Sequence, residues 1–467
     1  MTRTPPASLT VLGGAQTVTG SRYLLESEGR RVLVDCGIFQ GLKELRERNW
    51  APFPVDPSSI DAVVLTHAHL DHGGYLPRLV SHGFTGPVYC TADTANLLSV
   101  VLPDSGRLHE EEAEFTNRVG STRHRPALPL YTEQDAYESL EQLVSVDFGE
   151  TVAVADSFSA RFDVAGHILG SATLLCEMPD GVRVRFSGDL GRPNHPVLVP
   201  AAPLGDADFV LVESTYGDRT HQPEDPVERL AALVERTVER GGVVVIPAFA
   251  VDRTEVLLYH LARLARSGRL PRVPVFVDSP MALAALRMYR TSIHEGRADI
   301  RPELHGNGEL FEVPLLEESE TPDSSKRISA RTDSAIIIAG AGMATGGRVV
   351  HHLKRFLPDR SNSVALVGFQ AAGTRGRALL EGAEVLKIHG KYVPVRAEVC
   401  ELPGFSVHAD QNELLAWLRT ATREPDTTLV VHGEATAAAA FRRKIADTLD
   451  WTAVVPSYGE RFSLRRE

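Results

Sequence analysis

The stretch Thr66-His67-Ala68-His69-Leu70-Asp71-His72 decides the interpretation of this chain, because four metal-capable side chains fall within six positions. It follows the apolar run 62–65, which predicts a buried strand, and two glycines come directly after it. Alternate side chains share one face of a strand, so the first two histidines can bind one ion. The aspartate and the last histidine lie past the strand end and can reach a second ion. Imidazole with carboxylate suits zinc, manganese or iron.

A solvated turn that happens to be rich in histidine is the alternative interpretation of this stretch. Four ligand side chains at this spacing argue against it, although a motif match is only a hypothesis. One strand end cannot complete two metal sites, so further ligands have to come from other parts of the chain.

Length and composition indicate a globular protein of two or three domains. The 467 residues are 43% hydrophobic and 24% charged, which is ordinary for a soluble protein. No stretch approaches the length of a membrane span, and residues 1–7 lack the apolar region of a signal peptide. The four scattered cysteines form no paired spacing and suit a reducing compartment. We therefore expect a cytoplasmic protein that does not associate with a membrane.

The net charge of −12 argues against non-specific binding to nucleic acid, which requires a basic surface. It does not exclude a nuclease, because bound metal ions can carry the local positive field. The charge therefore disfavours a nucleic-acid coat protein more than it disfavours an enzyme.

The order of the predicted strands and helices divides the chain into three parts. Residues 1–217 are β-rich, with helices in between, and 396–467 return to strand, alanine-rich helix and strand. Between them, 218–395 alternate strand and helix with wholly apolar strands, which implies a parallel sheet covered on both faces. The first helix of this part is predicted to begin at an Asp225 cap, with Glu228 closing a capping box. Residues 291–333 are predicted to be a loop-rich excursion.

Further candidate ligands stand at strand ends beside glycine, as Asp35, His167 and Asp189 do. As an ordered set with the opening stretch, they resemble the metallo-β-lactamase superfamily. That resemblance implies an αββα sandwich in which His67, His69 and His167 hold one ion, Asp71 and His72 hold the other, and Asp189 bridges them. Asp35 would steady a ligand or the bound water rather than ligate.

Three later segments resemble the β-CASP nucleases. They are the acidic Glu213 in Val-Glu-Ser-Thr-Tyr-Gly, His408 in Phe-Ser-Val-His-Ala-Asp, and His432 in Val-His-Gly-Glu. The resemblance implies an α/β domain, the β-CASP domain, inserted at 218–395 into the metallo-β-lactamase fold. Histidine at the last position is similar to the RNA-processing branch and adds His432 to the ligands of the second ion. It points to short bacterial or archaeal relatives of the cleavage-and-polyadenylation endonuclease.

The resemblance implies a ribonuclease that hydrolyses phosphodiester bonds of single-stranded RNA at two divalent ions, in RNA processing or decay. Such ions activate a water for attack on phosphorus. His408 is the candidate general acid for the leaving oxygen, and Glu213 would orient or charge it. Ligand chemistry favours zinc and also admits manganese.

Two glycine- and arginine-containing segments are candidate contacts for RNA phosphates, because glycine-rich turns at helix starts offer backbone N–H groups and arginine binds phosphate in a bidentate manner. As isolated patterns they are ordinary turns. The predicted contacts are Gly347, Arg348, Gly373, Thr374, Arg375 and Ser406.

Two other functions remain open at this point. The chain could be a metallo-hydrolase of a small ester or phosphodiester that shares only the core, or a non-catalytic RNA-binding scaffold. The inserted domain and His408 argue against the first, and the intact ligand set argues against the second. Family analogy suggests a homodimer.

Overall fold

The computed structural model describes residues 7–120, 126–221 and 225–465. Its contacts divide the chain into two compact units. Unit 1 comprises Met1–Gln40, Glu44–Thr220 and His408–Glu467, and unit 2 comprises Gly41–Lys43 and His221–Val407. The expected absence of a signal peptide concerns residues 1–7, of which 1–6 lie outside the described residues.

The N-terminal part of the chain, up to residue 212, has more strands than α-helices. Its elements are β1 (Ser8–Val11), β2 (Tyr23–Ser27), β3 (Arg30–Val34), α1 (Lys43–Arg48), β4 (Ala62–Val64), α2 (Leu70–Gly73), α3 (Leu76–Ser81), β5 (Val88–Thr91), α4 (Ala92–Val119), α5 (Glu133–Leu140), β6 (Leu143–Val146), β7 (Thr151–Ala155), β8 (Phe158–Val164), β9 (Ala172–Glu177), β10 (Arg183–Phe186) and β11 (Phe209–Val212).

Helix and strand then alternate. The elements are α6 (Pro226–Glu239), β12 (Val243–Ala248), α7 (Arg253–Arg266), β13 (Val275–Asp278), α8 (Pro280–Glu295), β14 (Leu316–Glu318), α9 (Pro322–Ser329), β15 (Ala335–Gly340), α10 (Gly347–Phe356), β16 (Ser363–Leu366), α11 (Arg375–Leu380), β17 (Val385–Ile388), β18 (Lys391–Pro394) and β19 (Glu398–Glu401). The chain closes with α12 (Gln411–Leu418), β20 (Thr427–Val430), α13 (Ala435–Leu449), β21 (Ala453–Val454) and β22 (Arg461–Ser463).

Unit 1 is a sandwich of two sheets. One has the order β22-β1-β2-β3-β4-β5-β6 and the other the order β21-β20-β11-β10-β9-β8-β7. Alternate apolar side chains of both sheets form one buried core, with Val34 and Val64 from the first sheet and Phe162 and Phe186 from the second. Helix α4 packs on the first sheet and α13 on the second. The predicted αββα sandwich is confirmed.

Strand direction explains where the candidate ligands gather. In the first sheet, β1 and β3 are each antiparallel to β2, and β4 is parallel to β3. In the second sheet, β8 and β10 are each antiparallel to β9, while β10, β11 and β20 run parallel. The carboxyl ends of β1, β3 and β4 therefore share one edge of their sheet. Those of β8, β10, β11 and β20 share one edge of the other.

Unit 2 is built on a parallel sheet of order β14-β13-β15-β12-β16-β19. Its central strands β12 and β15 are buried along nearly their whole length, as expected for a sheet covered on both faces. The predicted inserted α/β domain is confirmed. Helix α6 begins at the predicted cap, since the side chain of Asp225 accepts from Val227 N at 2.9 Å. Glu228 does not close a capping box there and binds Arg269 instead.

Two features of unit 2 differ from the sequence-based expectation. Strand β19 pairs with β16, so the unit extends to Val407 rather than ending at residue 395. The region 291–333 is more regular than predicted, because β14 adds to the sheet beside β13 and α9 begins at a Thr321 cap. Both β14 and β19 are short and partly exposed, so neither carries a strong apolar pattern of its own.

Two further observations concern membrane spans and cysteines. Among the described residues, no helix is both long and apolar enough to span a membrane. The four cysteines are free thiols; Cys36, Cys90 and Cys176 are buried, as small hydrophobic side chains are.

Candidate metal centre and active site

The candidate ligands of unit 1 follow the carboxyl ends of its strands. In the first sheet, Asp35 follows β3, and the histidine-rich stretch follows β4 and continues into α2. In the second sheet, His167, Asp189, Glu213 and His432 come shortly after β8, β10, β11 and β20. Because these ends lie at one edge of each sheet, residues far apart in sequence are brought together.

The first cluster consists of His67, His69, His167 and Asp189. Each offers one ligand atom, and these four atoms all lie within 4.8 Å of one another. His67 Nε2 lies 3.0 Å from His69 Nδ1, and His167 Nε2 lies 3.4 Å from the same Nδ1. Ring nitrogens that converge in this way, with a carboxylate beside them, have the composition of a transition-metal site.

The second cluster consists of Asp71, His72 and His432, whose ligand atoms also lie within 4.8 Å of one another. His72 Nε2 lies 3.2 Å from His432 Nε2, and that same His432 nitrogen lies 3.5 Å from Asp71 Oδ2. The structure therefore brings the C-terminal His432 to the histidine-rich stretch, 360 positions away from His72.

The carboxylate of Asp189 lies between the two clusters. Its Oδ2 is 3.6 Å from His67 Nε2 and 3.6 Å from His167 Nε2. Its Oδ1 is 3.3 Å from His72 Nε2 and 3.2 Å from His432 Nδ1. Each oxygen thus faces a different cluster, which is the arrangement that a carboxylate bridging two ions requires.

The protonation states fit metal binding at the first cluster. Burial lowers the pKa of His67 and His167 well below the usual value, and neighbouring imidazoles add to this effect. Burial also lowers the pKa of His69 to about 4. Although burial opposes it, the charges of His432 and His72 hold the pKa of Asp189 well below its usual range. Neutral imidazoles with an ionised carboxylate are the forms that bind a divalent ion, so the residues present fit such a group.

Asp35 supports the second cluster through the Nδ1 side of His72. Its Oδ2 lies 2.7 Å from Nδ1 of His72, and both of its oxygens accept from Thr66. A carboxylate at Nδ1 places the ring proton there and leaves Nε2 free for an ion. Asp35 has φ +59° and His432 has φ +46°, a backbone conformation that costs energy for such residues and concentrates at functional sites.

Glu213 and His408 lie directly beside these clusters. Glu213 is fully buried, and its Oε1 accepts from Leu190 N at 2.7 Å and lies 3.3 Å from Nδ1 of His408. The His408 side chain is 15% exposed, and its ring centroid lies 4.5 Å from that of His167. A buried carboxylate therefore orients an imidazole that solvent still reaches, at the edge of the first cluster.

The predicted phosphate contacts all lie in unit 2, and several already serve the protein. Arg348 Nη1 donates to Asp278 Oδ1 at 2.7 Å, and its Nη2 donates to Glu320 O. The hydroxyl of Thr374 caps α11 through Arg377 N at 3.2 Å. The guanidinium of Arg348 is thus held by partners distant in sequence, and the hydroxyl of Thr374 by the start of its own helix, so contact of either residue with RNA stays a prediction.

The remaining predicted phosphate contacts of unit 2 are Gly347, Gly373, Arg375 and Ser406. Gly347 and Gly373 adopt positive φ at the starts of α10 and α11. Arg375 donates to the carbonyl oxygens of Lys387 and Thr345. Ser406 is buried. Contact of these four residues with RNA stays a prediction.

Two threonines and a glycine that the sequence motifs did not identify position the ligands. The Thr66 hydroxyl lies 3.0 Å from His67 Nδ1 as well as contacting Asp35, and the Thr215 hydroxyl lies 3.3 Å from His432 Nδ1. Each threonine lies within two residues of a motif residue, and that adjacency was the available signal. Gly37 is equally required, because a Cβ there would lie 1.7 Å from the carbonyl oxygen of Asp71.

The sandwich fold and these donor clusters define a metal-binding hydrolase of the metallo-β-lactamase class. Family models agree with this along the chain. Residues 17–232 match the metallo-beta-lactamase superfamily, residues 254–379 the Beta-Casp domain, and residues 392–456 a Zn-dependent metallo-hydrolase RNA specificity domain.

Similar proteins narrow the class further. A ribonuclease of Thermus thermophilus is 39% identical over 90% of this chain and 92% of its own length. An RNase J-like protein of Methanocaldococcus jannaschii is 30% identical over 96% of this chain and 97% of its own. The transcription termination factor FttA of Methanosarcina mazei is 32% identical over 91% of this chain, which spans 67% of that protein. A crystal structure of a protein of unknown function from Enterococcus faecalis shares the fold, with a TM-score of 0.52, 15% identity and coverage of 98% of this chain and 100% of that one. This chain belongs to the β-CASP family of the metallo-β-lactamase superfamily.

Proposed function

We propose that this chain is a metal-dependent ribonuclease that hydrolyses phosphodiester bonds of single-stranded RNA. The observation that carries this proposal is the Asp189 carboxylate, with one oxygen facing each of two donor clusters and the Glu213–His408 pair beside them. The relatives named ribonuclease and RNase J-like support RNA as the substrate. The relatives named as termination factors support a role in RNA processing or decay.

We assign the first ion to His67, His69 and His167 and the second to Asp71, His72 and His432, with Asp189 shared. Five of these seven side chains are imidazoles, a composition that favours zinc and also admits manganese. When bound, two divalent ions polarise a phosphodiester and lower the pKa of a water so that it attacks near neutral pH.

The remaining chemistry falls to residues of the chain. Asp35 holds the proton of His72 on Nδ1, so that Nε2 faces the second cluster. Glu213 accepts from His408 Nδ1, which makes Nε2 the atom that donates a proton to the leaving oxygen. The buried Glu213 keeps its own position through backbone N–H groups of Leu190 and Thr215. A homodimer and a cytoplasmic location stay predictions.

End-labelled single-stranded RNA tests this function. Zinc-loaded protein should cleave it, whereas chelated protein and the Asp71→Ala variant should not. His408→Ala should keep its metal content by elemental analysis and lose roughly a hundredfold or more in turnover, the usual contribution of a general acid. His82→Ala, which removes an exposed histidine of unit 1, is the matched control and should cleave normally.

The same assay separates the alternatives. Hydrolysis of small esters or phosphodiesters without cleavage of RNA would replace the proposal with a small-molecule hydrolase. RNA binding without cleavage in zinc or manganese would replace it with a non-catalytic scaffold. Product sizes distinguish endonucleolytic from exonucleolytic action.

A further inference from the structure

An exposed tyrosine of unit 1, Tyr458, lies against the guanidinium of Arg48. The guanidinium carbon of Arg48 lies 4.3 Å from the ring centroid of Tyr458 and 5.4 Å from that of Phe39. Phe39 is buried, whereas Tyr458 is 44% exposed. Within the described part of the chain, no carboxylate lies within 4 Å of the Arg48 guanidinium. The charge of Arg48 is thus matched by aromatic rings rather than by a carboxylate, and one ring remains open to solvent.

The fold places this pair at the metal-binding edge of the first sheet. Tyr458 lies in the turn that leads into β22, which is antiparallel to β1. Gly459 N donates to Val11 O at 2.7 Å, so the turn lies at the carboxyl end of β1. That end is on the same edge as the ends of β3 and β4, where Asp35 and the histidine-rich stretch follow.

Backbone bonds tie this turn to the candidate ligands. After β1 the chain runs on to Gly14, whose carbonyl oxygen accepts from His432 N at 2.7 Å. Phe39, which lies 6.5 Å from the Tyr458 ring, follows a segment in which Ile38 N donates to Leu70 O. The segments that flank Tyr458 and Phe39 are therefore hydrogen-bonded, directly or through β1 and its following loop, to segments that carry candidate ligands.

An exposed aromatic ring in this position can bind a nucleobase by stacking. Bases of single-stranded RNA stack on aromatic rings and on guanidinium planes, and this stacking tolerates any base. The adjacent cation adds attraction for the phosphates without specifying a sequence. A small ester offers no neighbouring base to such a platform, whereas a nucleotide next to the cleaved bond does.

We propose that Tyr458, supported by Arg48, is a stacking subsite for a base of single-stranded RNA that flanks the scissile phosphodiester. The proposal rests on the proposed ribonuclease function, and it adds a substrate-binding element outside the metal centre. It does not alter the metal ligands or the general acid. An alternative role for Tyr458 is only to cover Phe39, and that role would not respond to removal of a base from the RNA.

The test measures binding of zinc-loaded protein to a fluorescent RNA of about ten nucleotides, a length within the site sizes of single-strand binders. Its linkages are phosphorothioates, which resist hydrolysis, and a series of RNAs each lacks one base. Tyr458→Ala should weaken binding of the complete RNA roughly tenfold. Removal of one particular base should weaken binding to the wild-type chain but leave binding to Tyr458→Ala unchanged.

Three controls separate stacking from structure. Tyr458→Phe keeps the ring and should bind within about twofold of wild type. Tyr137→Ala removes a ring that is 50% exposed on α5, near the opposite edge of the sheet, and should not change affinity. The melting temperature of each variant shows whether it is folded, and Tyr458→Leu, which removes the ring but keeps an apolar side chain beside Phe39, replaces the alanine variant should that variant fail to fold.

Two outcomes would overturn the subsite. One is wild-type affinity in Tyr458→Ala, and the other is equal sensitivity of both proteins to removal of every base. Cleavage of unmodified RNA by the wild-type chain, measured separately, distinguishes the two proposals. If RNA is cleaved but the effect of removing a base does not depend on Tyr458, only the stacking subsite is overturned. If that effect depends on Tyr458 but RNA is not cleaved with any metal, only the proposed ribonuclease activity is overturned.

Discussion

Replacing Asp35 with asparagine should weaken metal binding at the cluster of Asp71, His72 and His432 and spare the other cluster. Asp35 touches only His72 among these three residues, through Oδ2 and Nδ1 at 2.7 Å. Its other partner is Thr66, which donates through its backbone N at 2.8 Å and its hydroxyl at 3.0 Å. The substitution therefore acts on one ring of one cluster.

The geometry sets the size of the effect. An asparagine oxygen can keep the bonds from Thr66, but its amide group then presents a donor to His72. His72 has to turn an Nδ1 lone pair toward that donor, which moves its proton to Nε2, the atom 3.3 Å from Asp189. Loss of such a supporting partner costs about ten- to hundredfold in metal affinity, or about 1.4–2.7 kcal/mol.

Competition with a chromogenic chelator measures the affinity of each ion, and elemental analysis gives the metal content. Asp35→Asn should release one of two ions at chelator concentrations that leave both in the wild-type chain. Asp208→Asn is the matched control, because Asp208 is a buried carboxylate of unit 1 at the amino end of β11. Unchanged affinity for both ions, or equal loss of both, would show that Asp35 does not support His72 as a ligand of the second ion.

Three further predictions address other residues. His432→Ala should empty the second cluster and lower turnover more than RNA affinity; elemental analysis that finds the full metal content would contradict it. Although burial opposes it, hydrogen bonds from His352, Ser325 and other partners lower the pKa of Asp278 to about 2 from 3.8. That carboxylate should contribute roughly 2 kcal/mol at neutral pH, fully present above pH ~4 and lost as pH falls toward 2. Urea unfolding of Asp278→Asn should therefore show a deficit that shrinks over this range, and a constant deficit would be inconsistent with the lowered pKa. Arg375→Ala should lower RNA affinity and its dependence on salt, whereas Arg375→Lys should keep the salt slope; an unchanged slope in the alanine variant removes this residue from the RNA contacts.

The parts of the site that the sequence predicted are those that local pattern determines. A ligand that follows an apolar strand lies at a sheet edge whatever the rest of the fold does. The structure accordingly brings together His67, His167, Asp189 and His432 with the other predicted ligands. The alternation of helix and apolar strand likewise predicted the parallel sheet of unit 2, because each such strand has to be covered on both faces.

The parts that could not be predicted depend on partners distant in sequence. Arg348 was expected to bind phosphate, but the fold places Asp278, 70 positions away, against it. Strand β22 is short and largely exposed, so its pairing with β1 comes from tertiary contact and not from its own composition. Unit 2 likewise extends past the predicted boundary at residue 395, because β19 belongs to it through pairing with β16.

Metal binding should also stabilise unit 1 as a whole, because its candidate ligands come from both ends of the chain. His432 follows β20, which pairs with β11, and it meets His72 from 360 positions away. The unfolded chain holds these donors apart, so an ion that needs them together binds the folded state. Free zinc at about a hundredfold excess over its Kd should then add about 2.7 kcal/mol for each site.

Calorimetry of zinc-loaded and chelated protein measures this gain, and Asp208→Asn again serves as the control that keeps both clusters. The expected result is a melting temperature that rises with free zinc in the wild-type chain and rises less in His432→Ala, which retains one cluster. A melting temperature that does not respond to zinc or to chelator would mean that the two ends of the chain meet without forming an ion-binding site. The ribonuclease proposal would then lose its physical basis, because the Asp189 carboxylate would have no ions to bridge.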